Sequence, residues 1–185
     1  IPDVAPAGIE DRLRARAALG LDSAGLVIGR IGRVHPVQDL PTLLRAVAQL
    51  PEHDPPVTLV VVGSDESDYA DALRRRWGDR AGWAELRWVG ARRDVGDLLA
   101  AFDITVSSSY SEAFPNVVAE SMAHAVPVIG TDVGDTALLI GDPDLVVPPE
   151  APGALADLLH KLLSASEADR RRIGSLQRDV VLGYS

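Results

Sequence analysis

Short β-branched runs alternate with longer helical stretches along nearly the whole chain, and this alternation restricts the fold more than any other feature of the sequence. "GLVIGRIGRV" (25–34) reads as a first strand. It leads into "LPTLLRAVAQL" (40–50), a helix for which Asp39 is a good N-cap, because its carboxylate can accept a first-turn N–H. "VTLVVVG" (57–63) is apolar at every strand position, as expected of a parallel strand buried on both faces. "SDYADALRRRW" (67–77) reads as a helix, "ELRWVG" (85–90) as a strand and "DVGDLLAAF" (94–102) as helical. "DITVSSS" (103–109) is a strand that ends in small polar residues. After a helix that Pro115 starts within "SEAFPNVVAE" (111–120) come "VPVIG" (126–130), a short helical "DTALLI" (135–140) and "DLVVPP" (144–149), then two helices at 151–164 and 166–182. Such a rhythm specifies an α/β fold, a Rossmann-like doubly wound parallel sheet. No repeat, low-complexity tract or linker divides it, so residues 1–185 read as one domain.

Composition then removes several function classes. A net charge of -9 excludes a nucleic-acid partner, since phosphate-backbone affinity needs clustered Lys and Arg. The runs Arg74–Arg76 and Arg170–Arg172 sit in acid-flanked helical segments and read as solvated helix faces. With no cysteine there is neither a disulfide framework nor thiolate chemistry. The apolar runs are far too short to span a bilayer, and no signal peptide opens the chain. The expected location is the cytoplasm. A first residue of Ile1 instead of Met suggests a piece excised from something longer.

In doubly wound sheets, ligands bind at the carboxyl ends of strands, where loops run into helix N-termini. That directs attention to 32–39, 63–67, 90–94, 107–117 and 130–135. The first of these carries "GRIGRVHP", which is not the dinucleotide spacing GxGxxG, so a nicotinamide dehydrogenase is disfavoured. The fourth leads into "EAFPNVVAE" (112–120), which places a carboxylate at each end of a proline-started apolar stretch. Pro115 suits the first helical position, and Asn116 and Val117 then offer main-chain N–H groups with no partner inside the helix. Free amides at a helix start suit an anion, phosphate above all. Carboxylates repel phosphate but accept hydrogen bonds from hydroxyls, so Glu112 and Glu120 flanking those amides would suit a nucleotide sugar. On spacing alone, the two also fit a loop residue and a solvated helix position.

The motifs in combination resemble the retaining glycosyltransferases of the GT-B type, family 4 or group 1. "EAFPNVVAE" resembles their E-x7-E motif, commonly EGFPNVxxEAMA. "IGRVHPVQDLPTLLRAVA" (31–48) is similar to their phosphate-loop segment, commonly GRLHPVKDxxTLLRAFA. Residues 88–115 and 124–149 match the family's layout in order and spacing. The likeness is to the nucleotide-binding C-terminal domain, one half of the GT-B architecture. The acceptor-binding N-terminal domain has no counterpart here, so it is implied as a missing partner, and the isolated domain is expected to be inert.

The resemblance also implies roles. Arg33, beside Gly32 on the first loop, would pair with the donor diphosphate, and Arg33 and Glu112 would be the catalytic pair. Glu120 would accept from the ribose hydroxyls and Glu112 would sit near the hexose. Phe114, Pro115, Asn116 and Val117 would hold sugar and phosphate, and Arg92 and Arg93 would face the base. The nucleoside-diphosphate sugar is the substrate, with UDP favoured over GDP and ADP. No cofactor and no metal are implied. An acceptor held mainly by the missing domain is left open, membrane-associated acceptors included, as is attachment of the full-length protein to the inner membrane face. One departure stands out: the family usually has Lys where this chain has Gln38, and a neutral amide does not offset the charge of a departing diphosphate. Two rivals follow, a degenerate nucleotide-binding or scaffolding module and a sugar-nucleotide epimerase of similar fold.

Weaker candidates complete the reading. His35 suits either a phosphate contact or a place on the loop surface, and His53, His124 and His160 share no metal-ligand spacing. Trp77, Trp83 and Trp88 are expected to pack in the core. Asp132 and Asp135 lie at a strand end, where they could line a site, and with no Asp-x-Asp recognised in the chain a metal-dependent donor site of that sort is not expected.

Overall fold

The structure, a computed structural model, describes residues 4–112 and 115–183. Its strands are β1 (Leu26–Ile31), β2 (Val57–Val62), β3 (Arg80–Ala81), β4 (Ala84–Gly90), β5 (Ile104–Ser107), β6 (Val128–Thr131) and β7 (Val146–Val147). Its helices are α1 (Ile9–Ala18), α2 (Leu40–Ala48), α3 (Asp68–Trp77), α4 (Val95–Leu98), α5 (Asn116–Ala123), α6 (Thr136–Ile140), α7 (Pro152–Leu163) and α8 (Glu167–Leu182). The strands form a seven-stranded sheet in the order β3-β4-β2-β1-β5-β6-β7. All neighbours are parallel except β3, a two-residue antiparallel edge on β4. The doubly wound sheet expected from the sequence is therefore present.

Alternation along the strands divides the core. On β1, Leu26 and Ile28 pack into the larger of two core clusters, to which α2, α3, α5, α6, α7 and α8 all contribute. Val27 packs into the smaller cluster, where Leu98, Leu99 and Phe102 meet Ala15 and Leu19 from the α1 segment. On β2, Leu59 and Val61 take one side while Val60 and Val62 take the other. Residues buried on both faces explain why these strands read as unbroken apolar runs.

Four local features were not anticipated. Helix α1 lacks a strong apolar stripe and is held by charge: Asp103 accepts from Arg12 at 2.6 Å, from Arg16 at 2.8 Å and from the Val27 amide at 2.7 Å. Arg16, 1% exposed, also donates to four backbone carbonyls, of Asp22, Ser23, Gly25 and Ala101. Arg170 is buried instead of solvated, because its guanidinium donates to the carbonyls of Leu162, Leu163 and Ala165 and so closes the end of α7. Trp83 is exposed instead of packed, since it sits in the turn joining edge strand β3 to β4. Finally, the buried Gln177 side chain of α8 bonds both the N–H and the carbonyl of Val128, at 2.8 Å each, and so pairs the start of β6. Among the described residues no helix is long and apolar enough to cross a membrane.

Candidate functional site

The strand order reverses between β1 and β5, which emerge from the middle of the sheet toward helices on either side. At such a switch point the loops diverge and leave a crevice at the strand carboxyl ends. Here it has a volume of about 190 Å³. One wall is β1 and its loop, with Arg30, Gly32, Arg33 and Gln38. The other is β5 and the start of α5, with Thr105, Glu112, Pro115, Asn116 and Val117.

The backbone of the first loop is held in place from below. Gly32 N–H donates to Val62 at 2.9 Å and Val34 N–H to Ser64 at 2.8 Å, so the loop extends over the end of β2. Two glycines permit this. Gly32 has φ +133, and a Cβ there would come 3.1 Å from Gln38 Oε1. Gly63 has φ +146, and a Cβ there would come 2.0 Å from the Gly32 carbonyl oxygen. Next, Pro36–Gln38 form a 3-10 turn in which the His35 ring accepts from Val37 N–H at 3.3 Å, so that nitrogen serves the loop. Asp39 caps α2 as expected, accepting from Thr42 N–H at 3.3 Å.

A polar chain links the two walls. Arg30, 2% exposed, donates to the carbonyls of Gly32 and Arg33 and, at 3.1 Å, to Gln38 Oε1. Gln38 Nε2 donates to Glu112 Oε1 at 2.8 Å, and Ser109 Oγ donates to the same oxygen at 2.8 Å. The Gln38 carbonyl accepts from Ser108 Oγ at 3.0 Å. Burial lowers the Arg30 pKa to about 10, partly offset by the charge of Glu112, so the guanidinium is cationic at neutral pH. The Thr105 hydroxyl, also on the crevice wall, is buried and has no hydrogen-bond partner among the described residues.

The remaining predicted residues sit as follows. Arg33 is exposed on the loop, and no hydrogen bond or ion pair to its side chain is present among the described residues. Helix α5 begins at Asn116, one residue later than expected: Pro115 is its N-cap, with φ -82 and ψ 82, and its carbonyl accepts from Val118 and Ala119. The amides of Asn116 and Val117 precede those bonds, and no backbone partner for either is present among the described residues. Glu112 stands on the crevice wall. Glu120, a turn further along α5, is exposed and is not one of the lining residues. Arg92 and Arg93 follow β4 and lie outside the crevice lining, and Arg92 pairs with Asp94 at 2.5 Å. Phe114 lies outside the described residues.

Arg30 and Thr105 were missed by sequence reasoning. Arg30 interrupts an apolar strand, and a lone charge in such a run was the signal available. An Asp-x-Asp spacing was also passed over, Asp142 to Asp144. It occupies an exposed 3-10 turn before β7, where Asp142 accepts from Asp144 N–H at 2.9 Å and so serves as a turn cap. A larger cleft, about 570 Å³, lies between α1 and α4. Size does not select it, because its arginine, Arg14, is paired with Asp11, and its other charged lining residues, Asp94 and Asp97, are acidic.

The fold is that of sugar transferases. The Anabaena protein HepE, solved with UDP-glucose, matches with a TM-score of 0.83 and 24% identity over 96% of this chain and 49% of its own. Sucrose-phosphate synthase from Thermosynechococcus elongatus matches at 0.78 and 28%, over 98% of this chain and 47% of its own. The C-terminal domain of the group 1 glycosyl transferase LpcC from Francisella tularensis matches at 0.77 and 24%, over 96% of this chain and 93% of its own.

The family model described as glycosyl transferases group 1 matches residues 25–165, and the chain belongs to that family. Curated relatives include the D-inositol 3-phosphate glycosyltransferases of Rhodococcus erythropolis, 33% identical over 84% of this chain, and of Stackebrandtia nassauensis, 34% identical over 91%. The chain spans only 37% and 42% of those relatives' lengths.

Proposed function

We propose that this chain is the donor-binding domain of a retaining glycosyltransferase that takes a sugar from a nucleoside diphosphate, UDP by preference. The observation that carries the reading is the crevice where β1 and β5 diverge. It gathers Arg33, whose side chain has no partner among the described residues, a buried cation, Arg30, and the first amides of α5 around one small space. Fixed cations and unpaired amides together suit a diphosphate, and their field would stabilise the charge that grows as the sugar–oxygen bond breaks. Glu112 on the same wall would accept sugar hydroxyls. The diphosphate charge is then met by protein groups with no metal in the step. The acceptor would be bound by a further domain, as befits a chain covering about two-fifths of its relatives. HepE, which has the same fold, was solved with UDP-glucose and with UDP, which favours uridine as the base.

Isothermal titration with UDP, GDP, ADP and dTDP, alongside Arg33→Ala, tests this reading. Saturable binding of one diphosphate, weakened at least tenfold in the variant, is expected, since a hydrogen bond to a charged group contributes about 1.5–3 kcal/mol. Absence of binding by every diphosphate at millimolar concentration would remove the donor-domain reading. It would leave a degenerate module, the alternative that Gln38 favours.

A further inference from the structure

Arg30 is a buried cation without a carboxylate of its own. Its acceptors are neutral, the carbonyls of Gly32 and Arg33 and the Gln38 amide oxygen, and no carboxylate lies within ion-pair distance among the described residues. Glu112 is reached only through the Gln38 side chain. Burying a guanidinium in this way is costly for a fold unless the charge is used. It lines the crevice and stands behind the loop where Arg33 projects.

The contact also fixes the neighbouring amide. With Oε1 held by the Arg30 guanidinium, Gln38 can only turn its Nε2 hydrogens outward. One of them meets Glu112, and the other has no partner among the described residues. A guanidinium donating to the amide oxygen polarises the amide and strengthens its N–H groups as donors.

We propose that Arg30 is a positioning residue for the donor diphosphate, holding Gln38 as an outward-facing donor and supplying behind it the positive charge that a lysine at position 38 would bring. This rests on the donor-domain reading above. It accounts for a neutral residue at a position where charge is wanted: an ammonium there would face the Arg30 guanidinium at hydrogen-bond range, and like charges in a poorly solvated site repel. The cation has moved from the loop into the strand beneath it.

A cycle of Arg30→Met, Gln38→Lys and the double variant, titrated with UDP and checked for melting temperature, tests the proposal. Arg30→Met should weaken UDP binding roughly tenfold or more, the scale of a lost charge-assisted interaction. Gln38→Lys alone should also weaken it, by about threefold or more, because two cations then compete for one space. The double variant should bind more tightly than either single one, a rescue that a purely structural role for Arg30 does not produce. UDP binding by Arg30→Met equal to the parent's overturns the proposal while leaving the donor site standing. So does tighter binding by Gln38→Lys alone, which still reads out if Arg30→Met fails to fold. Failure of the parent to bind any nucleoside diphosphate overturns both readings together.

Discussion

Gly63 shows how little freedom single residues have around the crevice. It sits at the end of β2 with φ +146, and a methyl group there would overlap the Gly32 carbonyl, which is backbone and cannot swing aside. Gly63→Ala should therefore displace the loop that carries Arg33 and Gln38. A stability loss of about 1–3 kcal/mol in chemical denaturation is expected, the usual cost of forcing a side chain into such a conformation. UDP affinity should fall with it, by roughly tenfold if the displaced loop forfeits one good phosphate contact. Unchanged stability and unchanged affinity would mean that the loop is not braced against β2. The glycine itself was visible in the sequence, but its reason was not: the close approach of two backbones belongs to the sheet, and the flanking residues do not encode it.

At the scale of elements, most strands and helices were legible because their apolar periodicity carried the information. The strands β1, β2 and β5 lie within the expected segments, β4 and β6 overrun theirs by one residue at Ala84 and Thr131, and the main helices α2, α3, α5, α7 and α8 fall where helices were expected. Helix α1 was not foreseen, since Arg12 and Arg16 on its inner side look polar in sequence while they are bonded to Asp103 in the fold. Arg170 misled in the same way, reading as part of an exposed basic run when its acceptors are the last carbonyls of α7. Long-range polar pairing leaves no periodic trace. The Asp103 cluster gives the test. Asp103→Ala would leave Arg16 buried without its carboxylate, and breaking a buried pair from one side typically costs about 3–5 kcal/mol. Denaturation should shift by that amount, and amide exchange across α1 should rise first. A shift below about 0.5 kcal/mol, the usual size of surface substitutions, would show that α1 is anchored by apolar contacts alone.

At the scale of the whole molecule, the site was partly legible. The E-x7-E resemblance and the glycine-arginine loop pointed to the ends of β1 and β5, and the fold brings Gly32, Arg33, Gln38, Glu112, Pro115, Asn116 and Val117 to one crevice there. Glu120, Arg92 and Arg93 were grouped with them by motif, yet they lie outside that lining, because a motif records spacing along the chain and not distance across a sheet. The chain also covers less than half of the length of the Rhodococcus and Stackebrandtia relatives. The central claim is that a nucleoside diphosphate lodges where β1 and β5 diverge. A map of backbone amide shifts on titrating the chain with UDP addresses it most directly. The account predicts saturable shifts at Gly32, Arg33, Asn116 and Val117, with the amides of α1 unmoved. Shifts gathered in the larger cleft between α1 and α4, or none at millimolar UDP, would contradict it.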